Sequence, residues 1–197
     1  MRLQEGKNVE GLLAGRVEHP FSEADHAREI REWGFPNLRK RLSRILKHEM
    51  SRVRRDQKEK NPSTPKGIFA RNFIMDLDEK MGSICDINDG KKYDLRFYSA
   101  VDTRLDFTGK FDCWVELFDL EKNATVADYK IDITTNPNKI DVQNYADTVL
   151  YFNDDKYVDP DFRGEIDPRY FESDEYKTLV ELAAFRLAER AKVKRSV

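Results

Sequence analysis

A chain of 197 residues with 39% apolar residues and twelve Phe is long enough for one domain with its own core, and too apolar to be disordered. Two cysteines, Cys85 and Cys113, with no CxxC spacing, exclude a disulfide framework and a cysteine zinc site and read as free thiols or core fillers. The net charge of −2 does not exclude a nucleic-acid partner, because the charges are unevenly placed along the chain.

The chain opens helically. Ser22-Glu23-Ala24-Asp25 has the form of a capping box, starting a helix that runs toward Trp33 and stops at Gly34-Phe35-Pro36. Leu38, Leu42, Ile45, Leu46, Met50 and Val53 then recur at helical spacing and predict a second helix from Leu38 to about Glu59. The breaker Asn61-Pro62-Ser63-Thr64-Pro65 follows, with Ser63 or Thr64 as a cap and Pro65 in the first turn of a third helix over Lys66 to Met81. The period then changes to strands over 84–87, 93–101, 105–118 and 125–134. A helix is expected over Val142 to Phe152, then an acidic, proline-punctuated loop, then a closing helix from Asp174 to Lys192.

From Leu38 to Lys60 ten Lys or Arg stand against three acids, a balance of +7; from Asp147 to Glu175 ten acids stand against three bases, a balance of −7. Either run serves as a solvated face of its element, but the basic one also offers Arg39, Arg41, Arg44, Lys47, Arg54 and Arg55 as phosphate contacts. Helix-turn-helix and zinc-finger spacings are absent, so backbone contacts are expected in place of base readout. The three histidines are too scattered for a metal cluster, and no phosphate-binding glycine loop is present. Trp33 and Trp114 serve either a core or base stacking.

The chemically informative stretch is Gly109-Lys110-Phe111-Asp112-Cys113-Trp114-Val115, followed by Val126-Ala127-Asp128-Tyr129-Lys130-Ile131. Strand alternation puts Asp128 and Lys130 on one face and Tyr129 and Ile131 on the other. Phe111, Cys113, Val115 and Leu117 point one way and Asp112 the other, so a hairpin through Asp119 to Ala124 brings Asp112 beside Asp128. Two carboxylates so placed repel unless a proton or a cation separates them, and oxygen donors suit Mg²⁺ or Mn²⁺. A neighbouring ammonium suits phosphodiester chemistry. The same spacing equally serves a plain ion pair on a surface hairpin.

Gly109-Lys110-Phe111-Asp112 and Asp128-Tyr129-Lys130 together resemble the PD-(D/E)xK nuclease superfamily, in its RecB-like and phage-exonuclease-like branches. The resemblance covers about Lys66 to Phe152. It implies a restriction-endonuclease-like fold with Asp112, Asp128 and the Tyr129 carbonyl as metal ligands and Lys130 as the catalytic lysine. It further implies an acid or a histidine on the helix before the first strand, for which Glu79 is the candidate beside Asp76 and Asp78. It implies too a glutamine on the helix after the D-x-K strand, for which Gln143 stands, although position 147 is Asp where the branch carries Tyr.

The expectations are therefore an α/β (α+β) chain: a basic N-terminal helical arm over 1–61 and a core over 62–197 with a mixed central sheet flanked by helices. The expected function is a Mg²⁺- or Mn²⁺-dependent nuclease acting on DNA before RNA, with a homo-oligomer or a protein partner left open. The alternative is a non-catalytic nucleic-acid-binding or assembly protein on the same fold. The start MRLQEGKNVEG lacks a signal-peptide core and no apolar run reaches membrane length, so an intracellular protein without a membrane partner is expected, in a host cell if the chain is viral.

Overall fold

The computed structural model describes residues 13–15, 21–58, 61–84, 92–136, 138, 145–158 and 166–193; within its helices, the side chains of 23, 33, 35–43, 58, 84, 192 and 193 fall outside the description. Among the described residues, Leu13 and Ala14 are helical, and three longer helices follow before the sheet. Helix α1 is Glu23–Trp33, and its start is the capping box expected: the Asp25 N–H donates to Ser22 Oγ while the Asp25 carboxylate accepts from the Ser22 N–H. Gly34, at φ 70°, ends it in a backbone region that disfavours a side chain. Helix α2 is Phe35–Lys58 and α3 is Ile68–Ile84. Helix α3 thus begins two residues later than expected and runs three further. Pro65 stays ahead of its first turn, and Ser63 donates to the Asp94 carboxylate at 2.7 Å. Ile84, expected in a strand, is the last residue of α3, and 85–87 lie outside the described residues.

A four-stranded sheet follows in the order β1 (Tyr93–Ser99), β2 (Cys113–Asp119), β3 (Ala124–Thr134), β4 (Thr148–Tyr151). The first three strands pair antiparallel in sequence, and β4 joins β3 in parallel, which makes the sheet mixed. Two stretches differ from expectation. Residues 105–109, expected in a strand, form a π-helical turn, Leu105–Gly109. Side chains there capture the backbone: Thr103 Oγ1 accepts from the Leu105 N–H at 3.1 Å and the Asp106 carboxylate from the Asp102 N–H at 3.1 Å, so local bonds replace a ladder. The helix expected over 142–152 is instead, at its end, strand β4, whose Thr-Val-Leu-Tyr run is β-branched and aromatic and finds the free edge of β3. A short helix α4 (Asp154–Tyr157) and a 3₁₀ turn (Pro168–Glu172) lead to the closing helix α5, Asp174–Val193.

The sheet is covered on both faces. On one face Cys113, Val115, Leu117, Tyr129, Ile131 and Ile133 join the core that α3 and α5 complete with Phe69, Phe73, Leu77, Val180, Ala183 and Leu187. On the other, Tyr98 and Trp114 pack with Leu46, Met50 and Val53 of α2. Phe111 belongs to this second cluster, not with Cys113 as alternation implied, because Lys110 at φ 54° turns the chain just before the strand begins. Cys113 is a free, buried thiol held well above its usual pKa by burial first and by Asp112 and Asp132 next, so it is an inert core residue. Among the described residues no helix is long and apolar enough to cross a membrane.

Candidate functional site

The side chains with chemistry lie on the α2 face of the sheet. The β2–β3 register sets Trp114 against Lys130 and Glu116 against Asp128. Asp128 and Lys130 share this face, as alternation required, and they form an ion pair with each other. Asp112 does not reach Asp128. It lies four residues along from Glu116, about 13 Å at strand rise, and is 2% exposed. Its N–H donates to the Ile131 carbonyl at 2.9 Å, and its carboxylate accepts from the Ile133 N–H at 2.5 Å, so it secures the far end of β3. The physical reason is register: the turn after Asp119 is tight enough that the hairpin pairs Asp128 with Glu116.

Glu116 belongs to no motif in the sequence, although strand alternation places it on the face of Asp112. It is 1% exposed, and its carboxylate is fully engaged. Arg54 donates from Nε to Oε1 at 2.6 Å, the Trp114 indole N–H donates to Oε1 at 2.8 Å, and the Thr125 hydroxyl donates to Oε2 at 2.8 Å. A buried carboxylate with a guanidinium and two neutral donors is compensated. Trp114 itself is core: 0% exposed and stacked on Tyr98 with ring centroids 5.0 Å apart.

A second group fixes the Asp128–Lys130 segment from behind, and nothing in the sequence flagged it because its members come from distant elements. The Asp147 carboxylate accepts from the Lys130 N–H at 2.8 Å and from Arg190 of α5 at 3.0 Å, and the Lys130 carbonyl accepts from the Asp147 N–H at 2.8 Å. Arg190 also donates to the Asp128 carbonyl. Burial works to raise the Asp147 carboxyl, but the Arg190 guanidinium and the Lys130 N–H outweigh it and hold it below the usual carboxylate range.

Between α2 and β3 a cleft of about 310 Å³ is lined by Lys47, Arg54 and Lys130, by Asp128, by Leu46 and Met50, and by Tyr145. Of the basic residues singled out on α2, Arg44, Lys47 and Arg55 are exposed and make no ion pair among the described residues. Arg54 is spent in part on Glu116. The side chains of Arg39 and Arg41, and the whole of Gln143, lie outside the description. Glu79 is exposed on α3, which covers the opposite face of the sheet, so it stands apart from Asp128; Asp78 is exposed too, and Asp76 accepts the Tyr176 hydroxyl at 2.6 Å.

Mg²⁺ or Mn²⁺ asks for several oxygen donors converging on one point. Of the donors that the resemblance implies, Asp112 is buried at the far end of the hairpin, Glu79 is across the sheet, and Asp128 is matched by Lys130. Asp112, Glu79 and Asp128 thus do not converge on one point, and among the described residues no group of three or more His, Cys, Asp or Glu is placed to hold a metal. Comparison with family models, with curated proteins and with solved structures finds no match. The class the structure defines is a mixed α+β fold: an N-terminal helical region, then a four-stranded mixed sheet between helices.

Proposed function

We propose that this protein binds nucleic acid, DNA before RNA, by its phosphate backbone along α2 and in the cleft between α2 and β3. The observation that carries the reading is the convergence of Lys47, Arg54 and Lys130 on one cleft, with Arg44 and Arg55 exposed on the same helix. Lys47 brings a charge with no ion-pair partner among the described residues. Arg54 and Lys130 bring N–H donors already oriented by Glu116 and Asp128, so little side-chain freedom is lost on binding a phosphate. Electrostatic contact of this kind is insensitive to base sequence and is weakened by salt. Anisotropy titrations of the metal-free protein on duplex and single-stranded DNA, at several salt concentrations, test it. Log affinity is expected to fall steeply with log salt, and neutralising Arg44, Lys47 and Arg55 together is expected to reduce the slope by about three. An affinity that ignores both salt and these substitutions refutes the reading.

A hydrolytic reading has its own supporting observation: Asp128 and Lys130 open side by side into that cleft, on the strand next to the one led by Gly109-Lys110-Phe111-Asp112. In this reading the chain is a metal-dependent nuclease of the restriction-endonuclease-like fold, inside the cell where its substrate is, and Lys130 steadies charge growing on a bound phosphodiester. Mg²⁺ or Mn²⁺ would supply polarisation of that phosphate, held by Asp128 with donors beyond those that converge here. Linear, circular and single-stranded DNA and RNA are incubated with Mg²⁺, Mn²⁺ or chelator. Metal-dependent products that Lys130→Ala forms about 10²- to 10³-fold more slowly, with binding intact, support it. Intact substrates throughout leave the binding reading alone.

A further inference from the structure

A surface that holds only a phosphate backbone needs positive charge and hydrogen-bond donors; apolar lining adds nothing to that task. The α2–β3 cleft has such lining. Beside its bases stand Leu46, Met50 and Tyr145. Tyr145 is 45% exposed, whereas Tyr98, Tyr129, Tyr157, Tyr170 and Tyr176 are all buried in the two cores. Its backbone is held in place: the Tyr145 N–H donates to the Gly109 carbonyl at 3.2 Å, and two residues on, Asp147 is bonded to both the N–H and the carbonyl of Lys130. Ring and ammonium therefore sit on one frame. A volume of about 310 Å³ lies at the small end of ligand pockets, suited to a base with its sugar and not to a double helix. In a duplex the base faces are covered by their neighbours and only edges and phosphates are offered; an unpaired nucleotide offers its flat face.

From the pairing of an exposed, anchored aromatic with apolar lining and lysines on both sides, we infer that the cleft takes one unpaired nucleotide of a single strand. Its base lies on the Tyr145 ring and its phosphates meet Lys47 and Lys130. This rests on the backbone-binding reading above and names its substrate as single-stranded nucleic acid. Stacking accepts every base, so the preference is for strandedness and not for sequence.

The full chain, with chelator present, is titrated by anisotropy against a labelled oligothymidylate and against a hairpin duplex with the same number of phosphates. The wild type is expected to bind the single strand more tightly. Tyr145→Ala is expected to weaken single-strand binding about 10- to 100-fold and to leave duplex binding unchanged, while Tyr145→Phe keeps both. Lys47→Ala weakens both substrates. Thermal melts by circular dichroism accompany each variant, and with Tyr145 45% exposed they are expected to match the wild type. If Tyr145→Ala weakens both substrates alike, or neither, the inference fails while backbone binding stands. If the wild type binds neither substrate at low salt, the binding reading fails and takes the inference with it.

Discussion

Lys47 and Arg54 stand two turns apart on α2 and line the same cleft, yet they have different consequences for stability. Arg54 faces Glu116, whose side chain is 1% exposed, while Lys47 makes no ion pair among the described residues. Removing Arg54 leaves a buried carboxylate with two neutral donors. Arg54→Ala is therefore expected to lower stability by about 2–4 kcal/mol, below the full penalty for a buried pair because the guanidinium is partly exposed. Lys47→Ala is expected to change it by less than about 0.5 kcal/mol. Urea unfolding measures both, and adding Glu116→Gln to Arg54→Ala should recover part of the loss; no recovery would show that pairing is not the cause. Asp147 gives a pH signature. Its folded pKa is depressed, so its contribution is present above the unfolded value of about 3.9 and is lost as pH falls through the folded value below that. Asp147→Asn should lower stability at neutral pH by about 1–3 kcal/mol and narrow its gap to wild type as the pH drops below about 4. A gap that stays constant in acid would mean that the carboxylate charge contributes nothing there.

At the scale of elements, the π-helical turn packs directly against α2 through Gly109 and Leu46. A methyl at Gly109 would lie 2.7 Å from Leu46 Cδ2 and 2.8 Å from Phe111 Cε1, and the Phe111 ring is 0% exposed with no room to retreat. Gly109→Ala is expected to cost about 1–3 kcal/mol, read as a lowered melting temperature; an unchanged one would mean that α2 lifts away freely. The glycine of the G-x-x-D stretch thus has a packing reason of its own. Helices α1, α2, α3 and α5 were legible because their apolar stripes run several turns and α1 carries both halves of its capping box. Strand β4 was not, since four residues are too few to show a period and its partner β3 lies across a long connection. The Asp128–Lys130 face was legible from alternation alone. Asp128's actual neighbour Glu116, and the Asp147–Arg190 support, depend on register and on tertiary approach, which local spacing does not encode.

For the whole molecule, the +7 run on α2 and the −7 run from Asp147 to Glu175 cancel in net charge, so the small net charge does not describe the field that a polyanion meets at the bases of α2. A ligand that binds only the folded chain raises its stability by mass action, about 2.7 kcal/mol at a hundredfold excess over Kd. Single-stranded DNA is therefore expected to raise the melting temperature by several degrees. Mg²⁺ alone should leave it unchanged, because Asp128 and Glu116 already have cationic partners. A clear shift with Mg²⁺ alone would overturn that assignment of charges. The unequal strands carry a last consequence. Strand β2 is paired along both edges and its Val115 and Leu117 are buried, whereas β4 has four residues, pairs along one edge and joins in parallel. Amide protons of Val115, Leu117 and Tyr129 should exchange with solvent only when the whole chain unfolds, while those of Val149 and Leu150 escape through a smaller opening that leaves the meander standing. Tyr145 and Asp147 lead straight into that edge strand and are bonded to Gly109 and Lys130, so a strand bound in the cleft would be expected to slow exchange in β4 first.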